Sequence, residues 1–164
     1  MSIRFAVLTV SDRSARGQRL DATGPALVEM INRQGWEVVR QSVLPDDIAI
    51  LRELLENWSD RGDVNIILTT GGTGFSPRDV TPEATRAVIE RDAPGLAEAM
   101  RAESASKSPH AMLSRAIAGI RGRVLIVNLP GSPKAAVENL QVVIPALEHA
   151  VKLLCNDPDA EKGH

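Results

Sequence analysis

The sequence predicts one α/β domain: a mostly parallel, mixed sheet with helices on both faces. Three observations carry this. Strand-like and helix-like segments alternate along the chain. The strands are continuous apolar runs, such as Phe5-Ala6-Val7-Leu8 and Ile66-Ile67-Leu68, which suits strands buried on both faces. Several of them run straight into polar or glycine-rich segments, where open α/β sheets bind ligands. A length of 164 residues fits a single domain, expected over 1–155, with a polar, frayed tail over 156–164.

The first strand is expected over Ile3–Val10, followed by the polar loop Ser11–Gly17. A helix follows from about Asp21 to Gln34, with Leu27, Met30 and Ile31 at helical spacing, Pro25 near its first turn and Gly35 as its stop. Trp36–Leu44 reads as strand two. Pro45-Asp46-Asp47 opens a helix to about Ser59, whose apolar face carries Ile48, Leu51, Leu54, Leu55 and Trp58. Val64–Leu68 is strand three and enters the loop Thr69-Thr70-Gly71-Gly72-Thr73-Gly74. Helices are expected from about Pro82 to Arg91 and from about Gly95 to Ser104, then a loop over Ser106–Pro109. Ala116–Ile120 and Val124–Leu129 form an antiparallel hairpin around Arg121-Gly122, which makes the sheet mixed. Pro133 starts a last helix to about Cys155, kinked or interrupted at Pro145.

Composition narrows the function classes. Aromatic residues make up 2% of the chain and tyrosine is absent, so the core rests on Val, Ile, Leu and Ala. That shortage, a net charge of −2 and the lack of a basic stripe argue against nucleic-acid binding. No apolar run approaches the roughly 20 residues of a membrane span, and strand one begins too early for a signal peptide. Cys155 is the only cysteine, read as a small buried hydrophobe, and a reducing cytoplasm is expected.

Gly71-Gly72-Thr73-Gly74 can approach a ligand closely and offer successive N–H groups to an anion. It matches neither a Walker nor a Rossmann pattern, since position 77 is Pro77, and an ordinary strand-to-helix turn stays open as a reading. Downstream, Thr81 is expected to cap a helix with Pro82 at its first position, which leaves Asp79 free as a Mg2+ ligand or polar catalyst. Arg78 pairs with phosphate, pairs with Asp79, or is a solvated charge. Asp46 is a helix cap or a second acidic ligand. Ser11-Asp12 and Asn128-Leu129-Pro130-Gly131-Ser132-Pro133 lie at other strand ends, the latter opening a helix N-terminus suited to an anion, with Ser132 read alternatively as its cap. Ser114 is read as a hydrogen-bonding residue, and no His/Cys/Asp cluster has zinc-ligand spacing.

Together these segments resemble the molybdenum cofactor biosynthesis family of Mog and MoaB proteins and the G domains of gephyrin-type proteins. The resemblance rests on Leu8–Arg13, Asp21 with Gly24, Pro45-Asp46, Leu68–Gly74, Arg78–Thr85, Ala111–Arg115 and Asn128–Pro133, and covers roughly Ile3 to Leu154. It implies a three-layer α/β/α fold and a cytoplasmic homotrimer that binds molybdopterin. It implies a Mg2+-dependent transfer of AMP from ATP to the molybdopterin terminal phosphate, and a hand-over to a molybdenum insertase. Its important aspartates fall on Asp46 and Asp79, and its pterin-side serines on Ser104 and Ser114. Gly71–Gly74, with Arg78, and the Asn128–Ser132 segment are then expected to hold the nucleotide. A weakly active MoaB-type paralogue, an oligomeric scaffold and a nucleotide hydrolase of the competence-damage family are the alternatives.

Overall fold

The computed structural model describes residues 2–160. In chain order the elements are β1 (Arg4–Val10), α1 (Asp12–Ala15), α2 (Thr23–Arg33), β2 (Glu37–Leu44), α3 (Ile48–Asp60), β3 (Ile66–Thr70), α4 (Thr81–Val88), β4 (Arg91–Asp92), α5 (Pro94–Ala105), a 3-10 helix (Pro109–Leu113), β5 (Ala118–Arg121), β6 (Val124–Leu129) and α6 (Pro133–Leu154). The strands form one sheet in the order β2-β1-β3-β6-β5-β4. The first four are mutually parallel, β5 runs antiparallel to β6, and β4 at the far edge runs antiparallel to β5.

The pleat sends alternate residues of each central strand to opposite faces, and each face has its own core. Phe5, Val7, Ile66, Leu68, Leu125 and Val127 pack with Leu27 and Ile31 of α2, Met100 of α5 and Leu140, Val143 and Leu147 of α6. Ala6, Leu8, Val10, Ile67 and Ile126 pack with Leu51, Leu55 and Trp58 of α3 and Ala84 and Val88 of α4. The expected helix–sheet–helix layering is therefore present, and the unbroken apolar runs reflect burial on both sides. On the edge strand β2 exposure alternates residue by residue. Trp36, just before it, stacks on Phe5 with ring centroids 5.4 Å apart.

Several expected boundaries move. The helix expected to Arg91 ends at Val88, and the chain turns extended at Ile89. Arg91-Asp92 becomes an edge strand, flanked by bonds from Glu90 N to Ile120 O (2.8 Å) and from Ala93 N to Ala118 O (2.9 Å). Two charged residues carry no periodicity, so only pairing with β5 reveals this strand. In the hairpin Arg121 faces Val124, which makes Gly122-Arg123 the turn, with Gly122 at φ 56°. Ser11–Gly17 is not all loop, because Asp12–Ala15 forms a helical turn capped by the Ser11 side chain. Pro145 does not interrupt α6. It lies on the exposed face, where water can satisfy the Gln141 carbonyl that loses its helical donor. The start of the expected tail folds back: Ala160 N donates to Asp157 O at 3.0 Å, and Ala160 is buried. Positions 161–164 of that tail lie outside the described residues.

Candidate active site

Because β2, β1, β3 and β6 are parallel neighbours, their carboxyl ends deliver four loops to one edge of the sheet. These are Pro45–Asp47, Ser11-Asp12, Gly71–Gly74 and Pro130–Ser132.

The glycine loop is built by its neighbours. Gly71 and Gly72 have φ of 100° and 68°. A Cβ at 71 would lie 2.3 Å from the Val10 carbonyl oxygen, and one at 72 would lie 2.4 Å from Thr81 Oγ1 and 2.8 Å from Asp46 Oδ1. Glycine is therefore needed for conformation and for space. At Gly74 a Cβ would lie 2.9 Å from Asp79 Oδ2, the end of a side chain that also accepts from Ser76 N. The loop carbonyls point into the protein. Gly71 O accepts from Thr81 Oγ1 (2.8 Å) and Gly72 O from Thr81 N (3.1 Å). Thr73 O accepts from Arg115 N (2.8 Å) and Gly74 O from Arg115 Nε (2.8 Å). Gly71 N donates to Leu129 O, whereas the N–H groups of Gly72, Thr73 and Gly74 have no protein acceptor among the described residues. Such a run of free N–H groups suits an anion.

Thr81 is thus not the helix cap that was expected. It is the first residue of α4, no side chain caps that helix, and its buried hydroxyl serves the Gly71 carbonyl. A buried carbonyl demands a donor more strongly than a helix end that can reach water. Arg115 was not recognised from sequence as a loop-holding residue. Besides Gly74 O it reaches Asp79 O at 2.8 Å and forms an ion pair with Glu83. The Glu83 partner raises the Arg115 pKa, and Arg115 in turn lowers that of Glu83. The only sequence signal was its place beside Ser114.

The acidic residues also sort differently. Asp47, not Asp46, caps α3, accepting from Ile50 N at 3.0 Å. Asp46 is released from that task and buried, with 9% of its surface exposed. It exchanges bonds with Asp12: Asp12 N donates to Asp46 Oδ2 (3.2 Å), and Asp46 N donates to Asp12 Oδ1 (3.0 Å). Burial raises the Asp46 pKa, and the neighbouring charge of Asp12, with a smaller effect of Asp79, raises it further. Asp79 is not wholly free, since its Oδ2 accepts from Ser76 N at 3.1 Å. Arg78 pairs neither with Asp79 nor with solvent alone. It binds Asp12 through Nε (3.0 Å) and NH2 (3.1 Å), and this hydrogen bonding holds Asp12 below the usual carboxylate range.

Asp12, Asp46 and Asp79 line one cavity of about 430 Å³, together with Ser11, Gly71, Gly72, Gly131 and Ser132. A second cavity of about 340 Å³ lies on the other side of the same two loops. Thr73, Gly74 and Pro130 line it, with Met100, Ser104, Ser114 and Asn139. The glycine loop and the Pro130–Ser132 segment therefore contribute to both chambers. Gly131 packs so near Gly71 that a Cβ there would lie 3.3 Å from Gly71 Cα. Thr70 Oγ1 and Thr23 Oγ1 fix the segment by donating to Pro130 O (2.6 Å) and Gly131 O (2.8 Å).

The expected serines all reach the chambers, each with its oxygen already engaged. Ser11 Oγ accepts from Ser14 N, and Ser132 Oγ caps α6 by accepting from Ala135 N. Ser104 Oγ accepts from Asn139 Nδ2 at 3.0 Å, and Ser114 Oγ accepts from Ala116 N at 3.3 Å. Each hydroxyl proton is left to donate. Asn128, expected among the ligand-binding residues, is a correction. It is fully buried beneath the loops, and its amide is consumed by Thr69 Oγ1, Thr85 Oγ1 and Ile117 N.

Among the described residues no three His, Cys, Asp or Glu side chains are grouped to enclose a metal ion. Mg2+ does not require that, because it commonly takes one or two carboxylates with substrate phosphates and water. Asp46 and Asp79 fit this donor set: both face the same chamber, and the Asp46 carboxylate is buried among like charges that a cation would offset. No helix of the described residues is long and apolar enough to cross a membrane.

Residues 6–149 match the family model described as a probable molybdopterin binding domain. The chain is 44% identical over 162 residues to gephyrin of Dictyostelium discoideum, covering 93% of this chain but only 22% of that protein. It therefore spans about a fifth of that relative's length. It is 37% identical over 155 residues to a protein of Helicobacter pylori J99 named molybdopterin adenylyltransferase, covering 93% of this chain and 88% of that one. Among solved structures, the molybdopterin biosynthesis enzyme MoaB of Thermus thermophilus superposes with a TM-score of 0.89 at 48% identity, covering 95% of this chain and 98% of that one.

Proposed function

The chain belongs to the Mog/MoaB family of molybdopterin-binding domains, and on that premise we propose that it is a molybdopterin adenylyltransferase of molybdenum cofactor biosynthesis. It transfers AMP from ATP to the terminal phosphate of molybdopterin and releases pyrophosphate. The observation that carries this reading is the pair of chambers parted by two glycine-containing loops, one chamber acidic and the other partly apolar with serine and amide groups. Joining two phosphorylated substrates needs two adjacent sites and an anion-binding element between them.

ATP occupies the acidic chamber, and molybdopterin the chamber of Met100, Ser104, Ser114 and Asn139. The free N–H groups of Gly72, Thr73 and Gly74 hold phosphate oxygens where the two meet. The pterin phosphate oxygen forms a bond to the α-phosphorus, and the bond from that phosphorus to the leaving pyrophosphate oxygen breaks. Asp46 and Asp79 would hold a Mg2+ ion, which would supply charge neutralisation on the triphosphate. Arg115 and Thr81 keep the loop carbonyls turned away from that charge, so the donors stand oriented before the reaction begins.

The test is AMP transfer from ATP to molybdopterin, with Asp79→Asn beside the wild type. The variant is expected to be slower by at least about a hundredfold, and wild-type turnover would remove Asp79 from the mechanism. The family description, which names molybdopterin binding alone, supports a second reading, a molybdopterin-binding paralogue with weak or no transferase activity. It predicts bound pterin and little or no adenylylated product. A cytoplasmic homotrimer handing its product to a molybdenum insertase completes the proposal, and light scattering tests the trimer.

A further inference from the structure

We propose that Arg78 is an exchangeable counter-ion of the acidic chamber: it holds Asp12 in the free protein, and the divalent cation that enters with the nucleotide displaces it onto a phosphate oxygen. This inference rests on the nucleotide-binding reading of that chamber.

The chamber is lined by the carboxylates of Asp12, Asp21, Asp46 and Asp79 and by Arg13 and Arg19, and among the described residues Arg78 is the cation ion-paired with one of those carboxylates, Asp12. Its charge offsets Asp12 directly and Asp46 at longer range. It therefore stands electrostatically where a bound cation would act.

How Arg78 is attached sets it apart from Arg115 beside the loop and from Arg121 at the opposite end of the sheet. Arg115 grips two backbone carbonyls and Glu83, and its side chain is 34% exposed. Arg121 grips Asp60 and the Val88 carbonyl, and is 24% exposed. The Arg78 guanidinium touches Asp12 alone, and its side chain is 63% exposed. The contact is a two-point one and the Asp12 side chain is 21% exposed, but its arginine end is open to solvent and within reach of a competing partner. Asp12, by contrast, stays in place when Arg78 leaves, because its Oδ1 also accepts from Asp46 N and its own N–H is held by Asp46 Oδ2. Departure of the guanidinium thus exposes a prepositioned carboxylate without disturbing the loop. A planar guanidinium suits phosphate as well as carboxylate, so a nucleotide offers Arg78 the partner that a bare cation cannot. The arrangement makes cation and nucleotide bind together and disfavours the cation alone.

The experiment measures Mn2+ alone by electron paramagnetic resonance, and separately the Mg2+ complex of α,β-methylene-ATP by calorimetry, on the full chain. Arg78→Gln is expected to bind Mn2+ about five- to tenfold more tightly than the wild type, because the competing charge is gone. The same variant is expected to bind the nucleotide complex about tenfold more weakly, because a charge-assisted phosphate contact is lost. Shifts of opposite sign are not what a damaged fold produces. Arg78→Lys keeps the charge and loses the fork, and its Mn2+ affinity should lie between the other two. Mn2+ binding that is unchanged or weaker in Arg78→Gln, an affinity of Arg78→Lys at or above that of Arg78→Gln, or shifts of one sign for both ligands would overturn the exchange. AMP transfer by the wild type, measured alongside, separates the two ideas. If it occurs while the Mn2+ affinities fail the expected order, only the exchange falls. If it does not occur, the transferase reading falls whatever Mn2+ does.

Discussion

Replacing Asn128 with alanine removes the Nδ2 bonds to Thr69 Oγ1 and Thr85 Oγ1, both 2.9 Å, and the Oδ1 acceptor of Ile117 N at 3.2 Å. Asn128, Thr69 and Thr85 are all fully buried, so water does not readily take over. A typical bond contributes about 1 kcal/mol net, and a buried group left unpaired costs about 1–3 kcal/mol. The two threonine hydroxyls can rotate toward other acceptors, whereas the Ile117 N–H cannot, which places the expected loss near about 3 kcal/mol. For a chain of this length that lowers Tm by roughly 6–12 °C. Thermal unfolding can be followed by tryptophan fluorescence, because Trp36 stacks on Phe5 and Trp58 is buried in the opposite core. Nucleotide affinity, measured well below the transition, should change by no more than about twofold. An unchanged Tm with a tenfold loss of affinity would refute the reasoning and return Asn128 to the binding site.

Gly72→Ala places a methyl group 2.4 Å from Thr81 Oγ1 and 2.8 Å from Asp46 Oδ1 at a φ of 68°. It should destabilise the protein by about 1–3 kcal/mol and abolish nucleotide binding by displacing Asp46. Calorimetric titration checks this, and near wild-type affinity would contradict the close approach. Asp46→Asn tests the raised pKa of Asp46. A carboxyl that holds its proton more tightly folded than unfolded contributes stability below its unfolded pKa. That contribution is lost as pH rises through the folded pKa. The neutral amide escapes the loss, so the variant should melt above the wild type at pH 7 and lose that advantage as pH falls below the carboxylate range. Melting curves across that range decide it, and a pH-independent difference would exclude the ionisation effect.

Most of the scaffold was legible in the sequence. Runs such as Ile66-Ile67-Leu68 bury both faces of a strand, so their lack of alternation reported the layering directly. The loops at the carboxyl ends of β1, β3 and β6 followed from strand order along the chain, and the glycines of Gly71–Gly74 marked a close approach before any neighbour was known. β4 was not legible, because two residues held by one partner strand leave no pattern.

What the sequence determined by itself was which groups the site has at its disposal: glycine backbone, aspartates, serines and an arginine at strand ends. Tertiary structure alone decided the task of each. Asp47 took the helix cap and released Asp46. Thr81 and Arg115 took the loop carbonyls, Asn128 was drawn into the core, and Arg78 settled on Asp12. The physical reason is that capping and loop propensities are local and similar for neighbouring polar residues. Which buried donor meets which buried acceptor, by contrast, depends on contacts spanning dozens of residues, and leaving such a group unpaired costs more than any local preference gains.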